Sequence, residues 1–154
     1  MAKLAEITTD PTVHFIGWLQ RNKVRSLAPV VDVWQTVDRP ELAREIAKRA
    51  PGASVMIQVD ISGEETKGGC LPADTEALVA DASDLGLEVV GLMGVALLAE
   101  PEAARPGFAL LRRLVDQLGL RECSMGMTAD LEVAVAEGTT MVRVGRDLFG
   151  ERSR

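Results

Sequence analysis

The sequence predicts an α/β fold of about six parallel strand–helix units, and three observations carry that prediction. Short apolar, β-branched runs recur along the chain, most without strict polar alternation, as expected of strands buried on both faces. Helical patterns fill the intervals, several opening at proline and closing at glycine. The connections are short, which suits a parallel sheet crossed by helices.

The elements follow in order. Val13 to Gly17 reads as a strand and Leu19 to Ala28 as a brief helix ahead of Pro29. Val30 to Val37 is the second strand. Pro40 to Ala50 opens with proline at a first helical position after Asp38, places Leu42, Ile46 and Ala47 on one face, and stops at Pro51-Gly52. Ser54 to Ile61 is a strand, and Pro72 to Leu85 a helix with Leu78, Ala82 and Leu85 together, ended by Gly86. Glu88 to Val95 precedes a helix over Pro106 to Leu118, whose Leu110, Leu111, Leu114 and Leu118 share a face before Gly119. Glu122 to Met127, a shorter helix over Ala129 to Glu137, and Met141 to Gly145 complete the series. This grammar fits an open doubly wound sheet or part of a (β/α)8 barrel. No G-x-G-x-x-G turn follows the first strand, which weighs against a dinucleotide-binding version. In both architectures chemistry belongs at the carboxyl ends of the strands: His14 to Gly17, Gln58 to Lys67, Gly91 to Val95, Ser124 to Met127 and Arg143 to Gly145.

Composition narrows the classes. The 154 residues, 47% hydrophobic and 26% charged, suit one domain over residues 1–154 and argue against disorder. Seventeen basic and twenty-three acidic side chains give a net charge of −6, with no basic stripe to track nucleic acid. No apolar run is long enough to cross a bilayer, and no signal pattern opens the chain, so a cytoplasmic location is expected. Cys70 and Cys123 lie far apart, outside any metal-ligand spacing, and read as reduced thiols without a cationic pattern that would make them reactive. One histidine and no tyrosine leave few groups for proton transfer near neutrality.

The carboxyl third holds the strongest local signal. Ser124 and Gly126 stand where a strand gives way to a helix beginning near Thr128, so a hydroxyl and free N–H groups could bind an anion. One unit later Arg143-x-Gly145 repeats the arrangement. Adjacent anion loops after the last two strands are the usual phosphate grip of barrel proteins. The competing reading is that Ser124 and Thr128 only cap a helix and Gly145 only turns the chain.

Longer stretches are recognisable: HFIGWLQRNK (His14 to Lys23), WQTVDRPELA (Trp34 to Ala43), QVDISGEETKGG (Gln58 to Gly69), GLMGV (Gly91 to Val95) and SMGMTADLEVAVAEGTTMVRVGRDLFGER (Ser124 to Arg152). Through them the chain closely resembles the pyridoxal-phosphate homeostasis protein family (YggS-like), related to the amino-terminal barrel domain of alanine racemase. Asp60, Gly94 and Thr128 are small departures from it, where asparagine, alanine and serine are frequent. The resemblance implies a partial (β/α)8 TIM-type barrel of the alanine racemase N-terminal domain type. It implies pyridoxal 5′-phosphate (PLP) as cofactor, its phosphate held by Ser124 and the backbone at Gly145 and Arg146, with Arg143 facing the pyridine nitrogen. A guanidinium is always protonated, so beside the ring it keeps that nitrogen unprotonated and damps carbanion chemistry. His14 at a strand end and Met93 join the cofactor-binding set, although both could serve only packing and backbone bonding. Met125 and Met127 could also line a ring pocket; Asp130 and Glu132 read as early-helix carboxylates.

Family members begin with two further βα units, the first carrying the Schiff-base lysine, and nothing here matches that segment. Lys67 in ETKGG and Lys23 in QRNK are the lysines that could substitute, but neither setting desolvates an amine. The expectation is therefore a PLP-binding protein of intracellular PLP and amino-acid homeostasis, holding the cofactor noncovalently and without robust catalysis of its own. No catalytic or metal-ligating residue is assigned. An amino-acid racemase would need the lysine and a second base, often tyrosine. A third reading is an interaction-only fragment that self-associates through unpaired sheet edges.

Overall fold

A computed structural model describes residues 9–64, 68–96, 100–145, 148 and 150. Six strands, β1 (His14–Phe15), β2 (Val33–Val37), β3 (Ser54–Val59), β4 (Glu88–Gly94), β5 (Glu122–Met127) and β6 (Met141–Arg143), form one sheet in chain order. Every neighbouring pair is parallel. Right-handed crossovers between strands laid down in sequence place their helices on one side of the sheet. A doubly wound sheet instead reverses order at a switch point. The open choice is thereby decided for the barrel type.

Side-chain contacts show that the sheet is rolled. In a flat sheet β2 would lie about 14 Å from β5, at roughly 4.8 Å per strand. Here the Gln35 amide on β2 accepts a hydrogen bond from Ser124 Oγ on β5 at 2.7 Å and reaches Met141 Sδ on β6 at 3.0 Å. Only a strongly curled sheet allows both.

The helices pack outside the curl with one apolar stripe each. Along α2 (Pro40–Arg49) the buried positions are Leu42, Ala43 and Ile46; along α3 (Thr75–Asp84), Thr75, Leu78 and Ala82; along α4 (Arg105–Gln117), Phe108, Leu111 and Val115. These spacings follow the helical period. They meet Trp34, Val55, Ile57, Leu92, Cys123 and Met125 from the outward side of the strands in one continuous core.

Several boundaries move from their expected places. β1 is only two residues long, and its start is pinned by Asp32, whose carboxylate accepts the Val13 N–H at 2.7 Å. The helix expected over Leu19 to Ala28 splits into a 3-10 turn, Arg21–Lys23, and the single α-turn α1 (Val24–Leu27). Val24 is the only buried residue in those two elements, so little packing energy sustains a longer helix. α2 begins at Pro40 because the residue before a proline is driven out of the helical region, and Arg39 is fully extended (φ −159°, ψ 153°). The Asp38 carboxylate, rather than capping that helix, pairs with Arg39. α5 (Leu131–Ala136) starts later than Ala129, since Asp130 is not helical (φ −122°, ψ 16°) and its carboxylate takes the Met127 N–H at 2.6 Å.

Candidate functional site

Strand residues alternate between faces. Opposite the helix-packed side, the concave face carries His14 on β1, Gln35 on β2, Met56 and Gln58 on β3, Met93 on β4, Ser124 on β5, and Met141 and Arg143 on β6. Register sets Gln58, Met93, Ser124 and Met141 at one level across four strands. Gln35, Gln58 and Ser124 are all buried, although no helix covers this face in the described residues. Met56 and Met93 are buried here too, apart from the outer core.

A string of hydrogen bonds crosses the curl. Arg143 Nη1 donates to Ser124 Oγ at 2.8 Å, and Nη2 donates to the Gly94 carbonyl at 2.8 Å. The Ser124 hydroxyl donates in turn to Gln35 Oε1 at 2.7 Å. Gln35 Nε2 lies 2.7 Å from His14 Nδ1. Four strands thus contribute side chains to one polar path, and a fifth contributes a carbonyl.

Arg143 is the electrostatic centre. No carboxylate forms an ion pair with it among the described residues. Burial pulls its pKa down from the ordinary arginine value, while the Asp130 carboxylate acts in the opposite direction. A guanidinium stays charged at neutral pH regardless. The concave face therefore holds a largely desolvated positive charge, fixed by a hydroxyl and a carbonyl at the end of the last strand. A buried charge of this kind favours an anionic or electron-rich ligand.

The predicted residues distribute as follows. Ser124 is not at a strand–helix junction: β5 runs on to Met127, so the hydroxyl lies inside the curl and is fully buried. The junction N–H at Met127 is taken by Asp130. Arg143 ends β6 and meets Ser124 directly. Gly145 is exposed just beyond, and a Cβ added there would meet nothing within 4 Å. Arg146 lies outside the described residues, as does Lys67. His14 is half-buried and joined through Gln35, while Met93 lies beside Ser124 in register. Met125 belongs instead to the outer core, and Met127 is exposed. Lys23 is exposed and lines a separate cavity of about 370 Å³ with Phe15, Trp18, Leu19 and Leu27, none of which belongs to the polar path. Among the described residues no three metal-ligating side chains cluster, and no helix is long and apolar enough to cross a membrane.

Gln35 was not among the sequence-derived candidates, yet it joins the two ends of the path. The signal was a glutamine within Trp34-Gln35-Thr36-Val37, a strand buried at all four positions.

The donor set fits a cofactor that carries a phosphate and an unprotonated ring nitrogen. Arg143 supplies a fixed donor and charge, Ser124 a hydroxyl, and the backbone at Gly145 has open space beside it.

A rolled parallel sheet, helices outside and a guanidinium–hydroxyl pair inside define a barrel-type ligand-binding domain. The chain belongs to the alanine racemase N-terminal domain family, whose family model matches residues 2–153. It is 45% identical over 151 residues to the pyridoxal phosphate homeostasis protein of Aquifex aeolicus, covering 90% of this chain and 66% of that protein. With the pyridoxal phosphate homeostasis protein of Pseudomonas aeruginosa it shares 40% identity over 161 residues, covering 99% of this chain and 70% of the relative. The chain spans about two thirds of the length of these relatives. Among solved structures it is similar to PipY of Synechococcus elongatus PCC7942. Without PLP, PipY superposes with a TM-score of 0.87 at 34% identity, covering 97% of this chain and 75% of that one. The PipY structure with PLP bound gives 0.83 at 33% identity, covering 97% and 74%.

Proposed function

We propose that this chain binds PLP and serves intracellular PLP and amino-acid homeostasis in the cytoplasm, without robust catalysis of its own. The observation that carries the reading is the buried Arg143–Ser124 pair beside the open backbone at Gly145. The homeostasis name of the relatives and the PLP bound by PipY support it.

In this reading residues 1–154 act as one cofactor-binding domain. Gly145 and Arg146 offer backbone N–H groups to the phosphate. Ser124 adds its single proton by turning it away from Gln35. Arg143 faces the pyridine nitrogen and keeps it unprotonated, while His14 and Met93 complete the lining. PLP supplies an electron sink when bound, and a guanidinium at its ring nitrogen weakens that sink, which favours carriage over turnover. Binding by this stretch of chain is noncovalent: of the described lysines, Lys23 and Lys48 are both exposed and neither lies on the concave face. The outer edges of β1 and β6, unpaired among the described residues, favour self-association, and nucleic acid is not a partner.

Titrating the purified chain with PLP, before and after borohydride, tests the proposal. Saturable binding without a reducible adduct is the expected result. An adduct mapped to Lys23 or Lys67 overturns the noncovalent assignment, and failure of the folded chain to bind PLP overturns the function.

A further inference from the structure

We infer that Gln35 is the positioning residue of the concave face, the amide that carries the donor direction set at Arg143 across to His14. Arg143 can only donate. Its Nη1 donates to Ser124 Oγ, so the serine oxygen accepts there and its one proton goes to the next neighbour, Gln35, at 2.7 Å. The amide must therefore present Oε1 to Ser124 and Nε2 to the other side. Nε2 meets His14 Nδ1 at 2.7 Å and Met141 Sδ at 3.0 Å. Both are acceptors in this arrangement, so the neutral His14 ring carries its proton on Nε2.

Turning the amide round would place its carbonyl oxygen against the thioether sulfur. It would also leave the fully buried Ser124 hydroxyl with no acceptor among its described partners. Both consequences oppose the flip. One side chain thereby fixes a serine rotor, a histidine tautomer and, through Ser124, one amino group of Arg143. It also ties β1, β5 and β6 to β2. If Ser124 turns its hydroxyl toward a bound phosphate, Gln35 Oε1 loses its donor and only the contacts of Nε2 with His14 and Met141 still hold the amide. That last link rests on the PLP reading above; the direction of the path does not.

His14 is the only imidazole in the chain, so its ring nitrogens can be read without assignment ambiguity. The test is the ¹⁵N ring shifts of the full labelled chain, recorded where the ring is neutral. The wild type is expected to show a protonated Nε2 and a bare Nδ1. Gln35→Glu, which keeps the shape but can only accept, is expected to move the proton to Nδ1. Gln35→Leu is expected to give a mixture of tautomers, with circular dichroism reporting that the variant folds. A wild-type ring protonated on Nδ1 overturns the inference even if no variant folds. So does a folded Gln35→Leu protein with wild-type ring shifts. Titration with PLP forms the second arm. Gln35→Leu is expected to bind about tenfold more weakly, the order of one net hydrogen bond. Loss of PLP binding in the wild type with the Nε2 tautomer intact defeats the functional reading and leaves Gln35 in its role. Equal PLP affinity in wild type and Gln35→Leu, with unchanged ring shifts, defeats the role itself.

Discussion

On the outward face of the sheet, Trp34, Ile57, Leu92 and Met125 meet Leu42, Ile46, Phe108 and Leu111 from the helices in an apolar core. On the inward face, the same strands carry Gln35, Gln58, Ser124 and Arg143, most of them buried and joined by directional bonds. The difference teaches how stability and binding are divided. Apolar burial is additive over many contacts, so any one outward residue contributes stability and little else. The inward bonds are few, and each fixes the orientation of the next. Outward substitutions should therefore move unfolding midpoints alone, while inward ones should move affinity as well.

The largest expected effect lies on the outward side. Phe108 is completely buried on α4, the helix that packs on β4 and β5, and Phe108→Ala should cost about 3–5 kcal/mol in urea unfolding. A loss within the range of a surface substitution would show that the helix layer is not the main source of stability.

The same core holds a titrating group. Burial pushes the Cys123 thiol up to about 11, from an ordinary value near 9. Between those values the unfolded chain has released the proton and the folded chain retains it. Stability is therefore fully present below about pH 9 and falls as pH rises toward 11, by about 2–3 kcal/mol. Cys70 is shifted upward by burial too and adds in the same direction. With no tyrosine in the chain, no phenol titrates across this window. Unfolding curves for wild type and Cys123→Ala between pH 8 and about 11 would check the slope, which should flatten in the variant.

Crossing to the inward face, Ser124→Ala strands Gln35 Oε1 and removes one acceptor of Arg143. A stability loss of about 1–3 kcal/mol follows from leaving buried polar atoms unpaired. Ser124→Ala combined with Arg143→Ala should abolish phosphate-dependent affinity for PLP, measured by fluorescence or calorimetric titration. Unchanged affinity in the double variant would place the site elsewhere.

How much of this was legible before the structure depends on which face is read. The strands and helices of the outward core were visible because burial imposes periodicity: Leu42 and Ile46 repeat at helical spacing and are both buried, whereas on α4 only Leu111 of the expected face is fully buried, beside Phe108 and Val115. β5 matched residue for residue. The weak places were those with little burial to enforce them, such as β1 and the segment after it, where the 3-10 turn and α1 together bury only Val24. On the inward face the sequence exposed Ser124 and Arg143 as residue types but not their partnership, because 19 positions separate them and only the β5–β6 register brings them together. Gln35 escaped altogether, since its partner Ser124 lies 89 positions away. Local pattern carries no information about closure of a curled sheet. Ser124 was also read as a junction residue although the expected strand already ran on to Met127, because a serine followed by glycine ahead of a helix has the local pattern of an anion-binding turn.

Two glycines sharpen the contrast at its smallest scale. Gly126 sits in β5 with φ +91°, and a Cβ there would come within 2.5 Å of Ala134 Cβ on α5. Gly126→Ala is strained in backbone and packing alike and should cost about 1–3 kcal/mol. Gly145 has no positive φ and no atom within 4 Å of an added Cβ. Gly145→Ala should thus leave the unfolding free energy within about 0.5 kcal/mol of wild type. If the space beside Gly145 is where a phosphate meets the backbone, the added methyl obstructs that approach, and PLP affinity should fall although the fold does not notice the change. A Gly145→Ala protein with wild-type stability and wild-type affinity would show that the open space past β6 is only a turn, and would move the phosphate grip away from the end of the last strand.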